Sequence, residues 1–155
     1  MVDMRLFQAA DVIDLTGLTP SQLREWSSRA RRNLVPADVQ PAGPGRHALY
    51  AWQTVLALRL LNFLHTDFAG EVGSWAPGMN QLRADLDKIS FPSLWGSVVS
   101  FSSPQQPRLL AQSLAVVTSA SVVLPLDPHL LVIATKLSLP PPEQLPLFAA
   151  VAVTR

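Results

Sequence analysis

The stretch over residues 16–26, Thr-Gly-Leu-Thr-Pro-Ser-Gln-Leu-Arg-Glu-Trp, most constrains what this chain can fold into. Gly17 can adopt the positive φ that ends a helix and reverses the chain. Thr19 is a favourable N-cap, Pro20 suits the first helical position, and Gln22 completes a capping box three residues after the cap. The stretch therefore predicts two short helices joined by a tight turn, which is a helix-turn-helix.

The flanking residues give these two helices their expected lengths. We expect the first helix over residues 7–15 and the second from residue 20 to about residue 32. Leu23, Trp26 and Ala30 recur at helical spacing, so the second helix has one apolar edge. Its other side is left for polar and basic residues.

A loop and a third helix are expected after this pair. Residues 36–45 contain three prolines and two glycines, which excludes a regular helix, and a short extended stretch over residues 45–50 follows. An arginine near the tip of a loop between short strands, here Arg46, is typical of a wing, and its guanidinium suits a phosphate or a minor groove. From Trp52 to about Phe68 the chain is apolar around most of a helix, which must then be covered on several sides.

The distribution of charged residues along the chain is more informative about a binding surface than the net charge. The net charge of the 155-residue chain is only +1, and charged residues make up 15% of it. Four arginines nevertheless fall on or just after the second predicted helix: Arg24, Arg29, Arg31 and Arg32. Such a local basic stripe favours a docking face for an anionic partner. A solvated helix face is the alternative.

Several kinds of chemistry have no support in the sequence. The chain has no cysteine, no phosphate-binding glycine loop, no Gly-x-Ser-x-Gly elbow and no His-Glu-x-x-His motif. His47, His65 and His129 lack ligand-like spacing, and His129 beside Pro128 is interpreted as a turn residue. We therefore expect no enzyme, no metal and no cofactor. With no signal peptide evident and no long apolar run, we expect a cytoplasmic protein without a membrane span.

The second half is predicted to contain a linker, a short helix and strands. Residues 70–78 are rich in glycine and are interpreted as a linker, and residues 79–89 as an amphipathic helix. Extended structure is expected over residues 95–101 and 115–117. Residues 121–126 and 130–139 are interpreted as the arms of a hairpin around Asp127-Pro128, and residues 145–153 as a strand or a helix.

The low charge of this second half needs an explanation. Apolar strands with few charges would leave exposed patches on a monomer. Homodimerisation through residues 91–155 is the simpler explanation, because a second copy would cover these patches. It would also give the two-fold symmetry that can pair two DNA half-sites. A small-molecule pocket lined by Trp95 and Phe101 is the alternative.

The first half resembles the MerR-type winged helix-turn-helix family over residues 5–66. The resemblance rests on the order helix, Thr-Gly-Leu-Thr-Pro-Ser-x-Leu-Arg-x-Trp, Leu-Val-Pro, Gly-x-Arg-x-x-Leu-Tyr and a leucine-rich helix. In that family the second helix enters the major groove of DNA and the wing arginine contacts neighbouring phosphates or the adjacent groove. The expected DNA-binding residues are then Thr19, Ser21, Gln22, Arg24, Trp26, Arg29, Arg46 and Tyr50.

For three of these residues a structural role is an open alternative. Trp26 can equally belong to the core, Tyr50 can close the wing, and Gln22 can spend its side chain on the helix cap. For Arg24 and Arg46 we favour DNA contact.

Together these observations predict an α+β protein with an N-terminal winged helix-turn-helix and a strand-rich C-terminal domain. The expected division is a DNA-binding domain over residues 1–69, a linker with a short helix over residues 70–90, and a dimerisation or effector domain over residues 91–155. The expected function is sequence-specific transcriptional regulation by a MerR-like dimer bound to double-stranded DNA and responsive to a small-molecule or protein effector. The alternatives are an excisionase or phage packaging-type accessory protein, and a protein-interaction module that has lost DNA binding.

Overall fold

The structure, a computed structural model, describes residues 5–112 and 120–142. Within these residues there are five α-helices and two small antiparallel sheets, which confirms the α+β class. The helices are α1 (Ala9–Thr16), α2 (Pro20–Ser27), α3 (Trp52–Asp67), α4 (Val72–Leu86) and α5 (Asp127–Leu137). The strands are β1 (Phe7–Gln8), β2 (Leu49–Tyr50), β3 (Ser97–Phe101), β4 (Pro107–Ala111) and β5 (Val122–Pro125), and a 3-10 turn covers Phe91–Leu94.

The turn between α1 and α2 has the local structure that its residues predict. Gly17 has φ +75° and donates its N–H to the carbonyl of Ile13, closing α1 with a left-handed residue. The hydroxyl of Thr19 accepts the N–H of Gln22 at 3.2 Å, and the Gln22 side chain accepts the N–H of Thr19 at 3.0 Å. This reciprocal capping box fixes where α2 begins.

The predicted end of the second helix is wrong. α2 stops at Ser27, and Ser28 is already extended with ψ 134°. The returning chain takes the last carbonyls of the helix, because Val35 donates to Trp26 and Ala37 donates to Ser27. The arginines at positions 29, 31 and 32 therefore lie in the turns that follow α2.

A small sheet closes beside the helix pair. β1 and β2 pair with Phe7 opposite Tyr50, so the first helix begins at Ala9, two residues later than predicted. Val39 and Leu49 exchange two backbone hydrogen bonds of 3.0 Å, and the loop over residues 40–48 projects from this bridge. Arg46 lies exposed in that loop, between Gly45 at φ +78° and His47.

α3 is the central helix of the molecule. It contributes nine buried residues to the core, and α1, α4 and α5 all pack against it, as its apolar circumference predicts. Its own N-terminus has a poor cap in Ala51. Asp38, thirteen residues earlier, supplies the missing acceptor because its carboxylate takes the N–H of Ala51 at 2.7 Å.

The predicted linker over residues 70–78 is wrong, because α4 begins at Val72. The Glu71 carboxylate accepts the N–H groups of Gly73 and Ser74 and so caps the helix despite its glycines. The predicted helix over residues 79–89 is the second half of α4, which ends at Leu86. Met79, Leu82 and Leu86 are buried, as their spacing predicts.

The predicted hairpin around Asp127-Pro128 is also wrong. Residues 127–137 form α5, with Pro128 in its first turn, where proline is favourable. Leu130, Ile133 and Ala134 are buried at i, i+3 and i+4 spacing, so a helical period is present where alternation was inferred. β5 pairs with β3 instead, in a sheet of order β4-β3-β5. The extended segments predicted at 115–117 and 145–153 lie outside the described residues.

Buried side chains from the first and second halves form one hydrophobic core cluster, which extends from Phe7 to Ala134. The division at residues 69 and 90 stays a prediction, as does homodimerisation through residues 91–155. Of the helices in the described ranges, none is both long enough and apolar enough to cross a bilayer.

Candidate nucleic-acid interface

The outer side of α2 presents polar and charged side chains. Arg24 and Glu25 follow Ser21 by about one helical turn. All three lie opposite the buried Leu23 and Trp26. Arg31 joins them from the turn after the helix. Ser21, Arg24, Glu25 and Arg31 line a polar depression of about 140 Å³.

A second groove lies between α2 and the loop over residues 40–48. Its volume is about 350 Å³, and Arg24 forms part of its wall, so the same residue borders both depressions. The remaining wall combines apolar side chains of α1 and α2 with polar groups of the loop; its members include Ile13, Leu23, Ser27, Gln40, Ala48 and Tyr50.

Two of the predicted contact residues are structural. Trp26 is only 4% exposed and Tyr50 only 3% exposed, so both rings belong to the core. The Tyr50 hydroxyl lies 2.8 Å from the Ser27 hydroxyl and thereby ties β2 to the end of α2. Burial raises the pKa of Tyr50, although the hydrogen bond with Ser27 opposes the shift. These residues position the outer face instead of forming it.

The side chains of Thr19 and Gln22 form the capping box. Gln22 therefore has the structural role that was the alternative to DNA contact. Ser21, Arg24, Arg29 and Arg46 are exposed. Arg32 lies 3.6 Å from the Glu71 carboxylate, so part of its charge is directed towards α4. Arg24 and Arg31 bring positive charge to the outer face of α2, and Arg29 and Arg46 are exposed in the turn and the loop that follow the helix.

Glu25 and Gln40 were not among the expected DNA-binding residues. Glu25 follows Ser21 by four residues, so helical spacing places it on the polar side of the second helix, where the sequence leaves it available. Gln40 is a neighbour of the groove only because the chain returns over the end of α2. Its side chain donates to the carbonyl of Ser27 at 3.2 Å, which sequence spacing cannot show.

The predicted pocket of the second half is only partly correct. A depression of about 330 Å³ contains Phe101, but Trp75 of α4 stands beside it with ring centroids 5.1 Å apart. Trp95 lies elsewhere and packs on Phe91 at 6.1 Å. Trp75 was predicted as an aromatic anchor of a linker over residues 70–78, and for that reason it was not expected beside this pocket.

The interpretation of His129 as a turn residue is wrong. It lies in the first part of α5, is 8% exposed, and accepts the Nε–H of Arg59 on Nδ1 at 3.0 Å. Burial, followed by the charge of Arg59, lowers the pKa of His129 to about 4. Across the described ranges, no three histidine, aspartate or glutamate side chains come together in a way that could hold a metal ion.

Comparisons of the chain with protein-family models, with characterised proteins and with solved structures gave no match. The geometry and charge of the α2 face and its neighbouring loop are therefore the features that indicate a function.

Proposed function

We propose that the chain is a sequence-specific DNA-binding protein of MerR-like winged helix type and that it regulates transcription. The observation that carries the proposal is the position of Arg24, which stands between two depressions on the exposed side of a capped helix. An arginine at that position can contact a base edge on one side and a phosphate on the other.

The proposed binding mode places α2 in the major groove. Ser21 and Arg24 then face the bases, while Arg29 and Arg31 follow the backbone beyond the helix end. Arg46 extends from the loop over residues 40–48 towards the phosphates on the other side of the 350 Å³ groove. Phosphate contacts fix the orientation and base contacts give the specificity.

The rigid elements around α2 support this mode. The capping box fixes its N-terminus, and Tyr50 with Ser27 fixes its last turn. Arg59 of α3 donates to the carbonyl of Leu15 at the end of α1. A recognition helix held at both ends loses little conformational entropy on binding, which favours affinity.

Two substitutions test the proposal on the full-length protein. In a titration of a fluorescent random-sequence duplex, Arg24→Ala and Arg46→Ala should each weaken binding several-fold. Arg46→Ala should also reduce the slope of log K against log salt by about one, because one phosphate contact is lost. Arg108→Ala is the matched control, since Arg108 is exposed on β4 in the other half of the chain.

The control separates a defined interface from general charge. Equal losses for all three variants would indicate attraction by overall charge alone and would contradict the proposed α2 face. Unchanged binding by Arg24→Ala and Arg46→Ala, or absence of any DNA binding by the parent protein, would refute the function itself. If the parent protein binds DNA and both α2-face variants weaken it, footprinting on the DNA that flanks the gene would show whether a bound site lies where a regulator acts.

A further inference from the structure

Glu25 is an acidic side chain in a basic setting. It lines the 140 Å³ depression with Ser21, Arg24 and Arg31, so this acidic side chain shares one small depression with two arginines. In the described ranges, the ion pairs are Arg32 with Glu71 and Lys136 with Asp11, and Glu25 belongs to neither. The hydrogen bonds of the described side chains do not include Glu25 either. Its carboxylate is therefore available to an external donor.

A carboxylate here works against simple attraction to DNA. It reduces the local positive charge and repels phosphates, so it lowers affinity for every sequence alike. A group that lowers general affinity while facing the bases favours specificity, because it penalises sites that offer it no donor. The chemistry of the site thus requires a hydrogen-bond donor opposite Glu25.

The major groove offers only two such donors, the amino groups of cytosine and adenine. Adenine presents its N7 acceptor beside the amino group, which suits an amide and repels a carboxylate. Cytosine presents the amino group without that acceptor, so it is the better partner for glutamate. Arg24 suits guanine, whose O6 and N7 accept both arms of a guanidinium.

We propose that Glu25 determines specificity by accepting a hydrogen bond from the N4 amino group of a cytosine, while the neighbouring Arg24 recognises guanine. This inference rests on the proposed DNA binding and deepens it. The site should accordingly contain a G·C or C·G pair at the position that faces Glu25.

Selection from a duplex library with a randomised centre tests the inference on the full-length chain. The wild type should enrich cytosine at one position about tenfold or more over the other bases. Glu25→Ala should lose that preference and bind random duplexes as tightly as before or more tightly. Glu25→Gln should move the preference at that position towards adenine, because glutamine pairs with adenine.

Asp67→Asn is the control, since it removes one negative charge from an exposed residue at the end of α3. It should leave the selected sequence unchanged, and unfolding temperatures should be compared for all variants to show that each is folded. An unchanged preference in Glu25→Ala, with DNA still bound, would overturn the role of Glu25 and leave the proposed function intact. A wild type that enriches no duplex would overturn the function and this inference together.

Discussion

His129 shows at the residue scale how burial changes the chemistry of a side chain. Its ring is enclosed by α5 and α3, with Phe63 at 5.4 Å in an edge-to-face arrangement, and Arg59 donates to its Nδ1. A second proton would give this imidazole a positive charge that lacks hydration in the core and is repelled by the guanidinium of Arg59. For this reason the pKa of His129 falls to about 4, from an ordinary value of 6.5.

This shift predicts how stability depends on pH. Between pH 6.5 and about pH 4 the unfolded chain binds a proton at His129 that the folded chain does not, so stability rises with pH in that window. The contribution is fully present above pH 6.5 and is lost as the pH falls towards 4. One pKa unit corresponds to about 1.4 kcal/mol, and the ring keeps some solvent contact. We therefore expect His129 to change the free energy of unfolding by roughly 2 kcal/mol across this pH window.

The test is urea unfolding at pH 4.5 and pH 7 for wild type and His129→Asn. An asparagine oxygen can accept the Arg59 hydrogen bond but does not titrate, so the variant should lose most of this pH dependence. His47→Asn, at an exposed histidine, should keep it. Equal pH dependence in wild type and His129→Asn would contradict the assignment.

At the element scale, α3 shows that a helix can begin where its own sequence gives no cap. Ala51 at the N-cap position offers no side-chain acceptor, whereas Asp38 reaches its N–H at 2.7 Å from the preceding loop. A carboxylate at a helix N-terminus also interacts favourably with the helix dipole. The same bond links the base of the loop that bears Arg46 to the central helix.

Removal of this remote cap should destabilise the protein measurably. We expect Asp38→Ala to lower the free energy of unfolding by about 1–2 kcal/mol, because a helix-end N–H loses a charged acceptor. Asp38→Asn is the matched variant, since it keeps an oxygen acceptor without the charge, and it should lose about half as much. Chemical unfolding at pH 7 measures both, and equal losses would show that the acceptor oxygen is not what matters.

At the scale of the whole molecule, α4 and the β3–β4 connection lie in close contact at Gly78. A Cβ atom on this α4 residue would overlap the carbonyl oxygen of Pro104 in the β3–β4 connection. Polar contacts join the first half to the second, among them Lys136 with Asp11 at 2.9 Å and His129 with Arg59 at 3.0 Å. The first half, with its candidate interface, is thus supported by elements from the second.

Gly78→Ala gives a prediction whose sign depends on the tertiary structure. Helix propensity alone predicts a gain of about 1 kcal/mol, because alanine replaces glycine inside a helix. The overlap with backbone at Pro104 instead predicts a net loss of about 1–3 kcal/mol in the free energy of unfolding. Thermal or urea unfolding decides between the two signs.

Gly73→Ala provides the comparison within the same helix. A Cβ there meets only the ends of the Glu71 and Arg32 side chains, which can move. Its effect on unfolding should therefore be smaller than that of Gly78→Ala, about 1 kcal/mol or less, since any loss comes from displacing the Glu71 carboxylate from the helix cap. A stabilising effect of Gly78→Ala would mean that α4 and the β3–β4 connection are less tightly packed than the structure shows.

The parts of the fold that were predictable are those set by neighbours in sequence. Gly17, Thr19 and Gln22 fix a helix end, a turn and a helix start through contacts within four residues. The leucine-rich period fixed α3 in the same way. Besides the end of α2, the predictions that were wrong concern α4 and α5, where glycine and proline were taken as breaks although Glu71 caps one helix and Pro128 begins the other.

The candidate site divides in the same way. The capped helix that carries Ser21 and Arg24 could be predicted from its own residues, because caps and helical spacing act locally. The burial of Trp26 and Tyr50, the end of α2 at Ser27, and the depression that Glu25 and Arg31 share with Arg24 become known only from the folded chain. Those outcomes depend on which distant segment takes a carbonyl or covers a ring, and that information is not present in the residues adjacent to α2.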